Sequence, residues 1–146
     1  MKRLLLTALL AACAVEDDAV LALELDADAT CTTDRYRGLA SLSIEVYGDH
    51  DGELCTLARR CVTLDGATDL ADLTAALRAA MQPLVDTALA DTRQIAVLGH
   101  DRLGCGEGDR LACGFADLAD GDDQSLAVPL RCEPADCPPD VPPFCP

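Results

Sequence analysis

The sequence predicts a mainly β, disulfide-stapled, β-sandwich-like domain with one helix inserted at about residues 69–82, with a β-rich α+β arrangement as the alternative. Three observations point there. Short segments alternate apolar and polar residues with a period of two, one window follows a helical period, and eight cysteines run from Cys31 to Cys145. Aromatic residues make up only 3% of the chain and Trp is absent, so Leu, Val, Ile and Ala must form the core. A core with so little bulk per side chain gains from covalent cross-links.

The first expected strand is Val20 to Ala27, with Leu21, Leu23 and Leu25 on one face and Ala22, Glu24 and Asp26 on the other. A polar loop containing Cys31 follows at 28–34. Leu39 to Tyr47 is the clearest strand: Ala40, Leu42, Ile44 and Val46 point one way, and Ser41, Ser43, Glu45 and Tyr47 the other. Gly48-Asp49-His50-Asp51-Gly52 reads as a hairpin loop, after which Glu53 to Leu64 returns antiparallel with an interruption near Arg59-Arg60. The inserted helix has Thr68 or Asp69 as N-cap, Asp72 in its first turn, and a stripe of Leu70, Leu73, Leu77, Ala80 and Met81; Pro83 is its expected end. Strands are then expected at 93–99, 111–118 and 125–131. From Cys132 onward, six of the chain's eight prolines mark an extended tail, held down by disulfides rather than hydrogen bonds.

The N-terminus carries a separate message. Lys2 and Arg3 precede a run without charge, and that run ends in Leu10-Ala11-Ala12-Cys13. Positive, apolar and small-residue regions in that order form the layout of a secretory signal. The four-residue ending resembles the lipobox of bacterial lipoproteins. The resemblance implies cleavage before Cys13, lipidation of that cysteine, and anchoring to a membrane by acyl chains such as palmitate. In that family Ala14 would direct the protein to the outer membrane or cell surface. The expected organisation is a signal peptide over 1–12, a lipidated N-terminus and acidic spacer over 13–19, one β-rich domain over 20–131, and a Pro/Cys-rich tail over 132–146. The uncharged run is too short to span a bilayer.

Removing Cys13 from the count of nine cysteines leaves an even eight: Cys31, Cys55, Cys61, Cys105, Cys113, Cys132, Cys137 and Cys145. In an extracytoplasmic protein these read as four disulfides. Spacing favours local pairs Cys55–Cys61 and Cys105–Cys113, leaving Cys31, Cys132, Cys137 and Cys145 to staple the ends. No Cys-x-x-Cys occurs, which weakens zinc-ribbon and thioredoxin-like readings.

The 26 acids face 11 cations, two of which, Lys2 and Arg3, lie in the leader. Such an excess repels nucleic acid and is read as a solvated surface. Asp49, Asp51, Asp120 and Asp122 are weak candidates for a calcium site, but the spacing around Asp49 is not that of an EF-hand. His50 and His100 could share a metal only if their loops meet. Ser41, Ser43 and Ser125 are the serines considered for a Ser-His arrangement, and no Gly-x-Ser-x-Gly elbow accompanies them. The expectation is no cofactor, no catalytic residue and no metal, with a binding or structural role carried by loops 48–53 and 100–110. A calcium-binding module and a small secreted hydrolase are the alternatives.

Overall fold

The computed structural model describes residues 22–88, 92–105, 108–118 and 125–146, with backbone only at 81–88. The leader, Cys13, Ala14, the acidic spacer and the turn bearing Asp120, Asp122 and Asp123 lie outside the described residues.

Alternation decides the layers. Six strands, β1 (Ala22–Ala27), β2 (Ser41–His50), β3 (Glu53–Thr63), β4 (Thr92–His100), β5 (Arg110–Asp117) and β6 (Ser125–Arg131), form one sheet in the order β1-β6-β5-β4-β2-β3. Only β1 and β6 pair in parallel. The fold is therefore mainly β and disulfide-stapled with one long inserted helix, as expected. The layer opposite the sheet is that helix, the layering of the β-rich α+β alternative. A short helix α1 (Thr33–Arg37) occupies part of the expected polar loop, and α2 (Leu70–Ala88) links β3 to β4.

One face of the sheet carries Leu42, Ile44, Ile95, Val97, Leu126 and Val128, all at most 1% exposed, against Leu73 and Leu77 of α2. Each such side chain contributes about 1.5–3 kcal/mol by burial. Small residues let the strands close up here: a Cβ at Gly114 would lie 2.7 Å from the Pro129 carbonyl oxygen and 2.9 Å from Val128. Helix α2 starts where Asp69 accepts the Asp72 amide at 3.0 Å, while the Asp72 carboxylate accepts the Thr68 amide at 2.8 Å. This reciprocal cap satisfies amides that helix geometry leaves unpaired. The helix passes through Pro83 instead of ending there. Proline removes one amide donor and bends a helix, and the helix-forming residues beyond it continue the coil.

The β2–β3 hairpin is tighter than the sequence implies. Strand β2 runs to His50, which pairs with Glu53 across a two-residue turn. Asp51 and Gly52 have φ of 56° and 86°. Positive φ at both central positions is the type I′ geometry that matches strand twist. The irregularity in β3 falls at Leu57, where Val46 pairs with Ala58 and Tyr47 with Thr56, rather than at Arg59-Arg60.

All eight cysteines from Cys31 onward are paired, as Cys31–Cys132, Cys55–Cys145, Cys61–Cys105 and Cys113–Cys137. The local pairs expected from spacing are incorrect. Cys55 and Cys61 occupy one continuous strand, where six residues span about 20 Å; a disulfide needs Cα atoms about 4.4–6.8 Å apart. Cys105 instead lies over the β2–β3 edge, beside Cys61, and Cys113 faces the tail.

The tail, residues 132–146, crosses the sheet's other face as a strap. It is fixed to β5 through Cys137 and to β3 through Cys145. Hydrogen bonds hold it too, contrary to expectation. Thr56 donates its amide to the Pro143 carbonyl at 2.7 Å and its hydroxyl to the Pro142 carbonyl at 2.7 Å, and accepts from the Cys145 amide at 3.0 Å. Prolines cannot donate, but their carbonyls accept freely. Under the strap Tyr47, Ala96, Leu98 and Cys113 form a second small core with Cys137 and Val141.

Candidate functional site

The strap turns the polar face of β2 into an interior surface. Ser41, Ser43, Glu45 and Tyr47 project from it at alternate positions, and all four are at most 2% exposed. Burial without partners would be costly for each. Among the described residues every buried side-chain nitrogen and oxygen has a hydrogen-bond partner.

Glu45 is the hub. Arg59, directly opposite it in the β2–β3 register, donates from Nε to Oε1 at 2.9 Å and from Nη2 to Oε2 at 3.0 Å. Ser43 donates to Oε1 at 3.3 Å, and the Tyr47 hydroxyl donates to Oε2 at 3.3 Å. Two carboxylate oxygens offer about four acceptor sites, so Glu45 is saturated. Burial, followed by the adjacent Glu45 charge, pushes the Tyr47 hydroxyl pKa well above its ordinary value and keeps it a donor.

Ser43 also meets His100: Oγ and Nε2 are 3.0 Å apart. The serine hydroxyl has a single proton, already directed at Glu45. His100 must then carry its proton on Nε2 and donate it to Ser43, which leaves Nδ1 as an acceptor. Burial first, then the Arg110 charge, lowers the His100 pKa, so the ring is neutral at pH 7. Ser41 donates to the Arg102 carbonyl at 2.5 Å and accepts from the Cys105 amide at 3.3 Å, tying the 101–105 loop to β2.

A cleft of about 510 Å³ opens beside this network. Its floor is Glu45, Arg59 and His100. One wall is the loop leading into β5, with Cys105, Asp109, Arg110 and Leu111; the other is the strap, with Pro134, Cys137, Pro138, Pro139 and Val141. Both walls are pinned, by Cys61–Cys105 and Cys113–Cys137. Arg110 reaches across and donates from Nη1 to the Pro138 carbonyl. The lining is mixed, with Asp109 and Arg110 beside Leu111, Val141 and prolines, and the volume is that of a small-molecule site.

Of the serines and histidines singled out by sequence, Ser43 and His100 come together. A Ser-His-acid nucleophile needs its acid on the far ring nitrogen of the histidine. Here Glu45 lies on the serine side, Ser43 is fully buried, and the arrangement is that of a structural relay. Ser125 begins β6, two strands from β4. His50 lies nine residues along β2 from Ser41, the partner of His100, so about 30 Å separates the histidines and no metal can bridge them. On the hairpin, Asp49 accepts the Gly52 amide at 3.0 Å and Asp51 lies 3.6 Å from His50, both exposed. Among the described residues no three His, Cys, Asp or Glu side chains converge as metal ligands. Loop 48–53 is thus a tight hairpin, while loop 100–110 contributes to the cleft.

Sequence reading missed Glu45, Tyr47 and Arg59 as members of one cluster. The signal was present: polar residues alternate on a strand whose other face is wholly apolar, and a tail with three cysteines must lie against something. No protein-family model, curated protein or solved structure matches the chain. Among the described residues no helix is long and apolar enough to cross a membrane.

Proposed function

We propose that this chain is a lipid-anchored protein of the bacterial cell envelope with a non-enzymatic binding role, and that the cleft between strap and loop is where it binds. The observation that carries this is the complete pairing of the eight cysteines from Cys31 onward. Disulfides at this density belong to an oxidising compartment. They also leave Cys13, of the nine cysteines, for acylation. The lipobox-like Leu10-Ala11-Ala12-Cys13 supplies the anchor, and the excess of acids keeps the body off anionic lipid and nucleic acid. A binding role follows from a cleft whose walls are fixed covalently, while the Ser43 hydroxyl that meets His100 is fully buried.

Metabolic labelling of the full chain with palmitate in a bacterial host tests the address. Label is expected in the wild type and absent from Cys13→Ser. An unlabelled wild-type protein with Met1 intact by mass spectrometry would refute the anchored reading.

A further inference from the structure

We infer that the cleft takes a small organic monocarboxylate with an apolar body, held through the guanidinium of Arg110. This rests on the cleft being the binding site, as proposed above.

The chain has 26 acids, so a site for an anion must be built against the prevailing charge. Four of the nine described arginines have a carboxylate within ion-pair distance, Arg35 with Glu133, Arg37 with Asp34, Arg59 with Glu45 and Arg131 with Asp136, and of these four only Arg59 lines the cleft. Arg110 instead donates from Nη1 to a neutral main-chain carbonyl, that of Pro138. The contact fixes the guanidinium to the strap without cancelling its charge. A guanidinium has five N–H donors, and its Nε and Nη2 edge matches a carboxylate in a bidentate pair. On the floor, Glu45 is saturated and balanced by Arg59, so it does not oppose an incoming anion. Leu111, Val141 and Pro139 provide apolar lining for the remainder of the ligand. Asp109, exposed at the rim, sets the selectivity. A second carboxylate on the ligand would meet a like charge there, so monocarboxylates are preferred over dicarboxylates.

The test uses the oxidised full chain, with backbone NMR shifts read against hexanoate, its neutral amide hexanamide, and the six-carbon dianion adipate. Hexanoate is expected to shift the amides of His100, Arg110, Leu111 and Val141, binding roughly tenfold more tightly than either comparator. Arg110→Gln is expected to abolish that preference, Arg110→Lys to keep part of it, and Arg131→Gln to leave it unchanged. Hexanamide or adipate binding as tightly as hexanoate would overturn the inference while leaving the cleft a binding site. No shift at the cleft with any of the three would remove both readings. The comparison of ligands on the wild-type protein stands even where a variant fails to fold.

Discussion

Glu45 shows how one buried charge organises its neighbours. Its four donors come from three side chains on β2 and β3, and removing Arg59 leaves a carboxylate in the interior with two neutral donors and no counter-charge. Arg59→Ala is therefore expected to cost about 3–5 kcal/mol in urea-unfolding experiments. Tyr47→Phe removes one neutral donor and is expected to cost about 1 kcal/mol. His100 gives the pH dependence. Its folded pKa lies below the ordinary 6.5, so on acidification the unfolded chain takes up this proton first. Its contribution is fully present above about pH 6.5 and is lost as pH falls from there toward the folded pKa. A plot of unfolding free energy against pH is expected to fall on the acid side of 6.5, and His100→Gln to flatten that part of the slope. An unchanged slope would remove the histidine from the account.

At the scale of elements, what the sequence showed and what it concealed divide by the range of the interaction. The strands were legible because Leu42, Ile44 and Val46 alternate with polar partners on one stretch of backbone. The helix start was legible for the same reason: Asp69 and Asp72 act within one turn. Asp69→Ala should lower stability by about 1 kcal/mol, detectable as a smaller denaturation midpoint with an unchanged urea slope. The disulfide map was not legible, since the partners lie 24 to 101 residues apart and are chosen by the order of strands in the sheet. Arg59 was likewise hidden. It faces Glu45 only once the hairpin register is set, and the bulge at Leu57 shifts that register by one. The cleft depends on both long-range facts, so its walls could not be read in advance. Of its floor, His100 alone stood out by residue type.

The whole molecule is a sheet covered on one face by a helix and on the other by a strap, and the two covers are held in different ways. The α2 face is closed mainly by leucines and alanines, with the Cys31–Cys132 disulfide packed at the border of the same core. The strap is rich in proline and poor in hydrophobic bulk, with Phe144 59% exposed, so covalent bonds must keep it in place. Cys31–Cys132 acts elsewhere, joining the loop after β1 to the end of β6. The two kinds of staple should separate in experiment. By loop-closure entropy, losing Cys31–Cys132 costs about 4.7 kcal/mol and losing Cys113–Cys137 about 3.5 kcal/mol. The local consequence runs the other way. Cys113→Ala with Cys137→Ala frees the strap where it walls the cleft. Amides of Ser43, Glu45 and Leu98, on β2 and β4, should then exchange faster than those of Leu126 and Val128, on β6. Cys31→Ala with Cys132→Ala should accelerate both groups together, through global unfolding alone. The same acceleration for both groups in the Cys113/Cys137 variant would mean that the strap does not open independently, and that the polar face is sealed by the sheet itself.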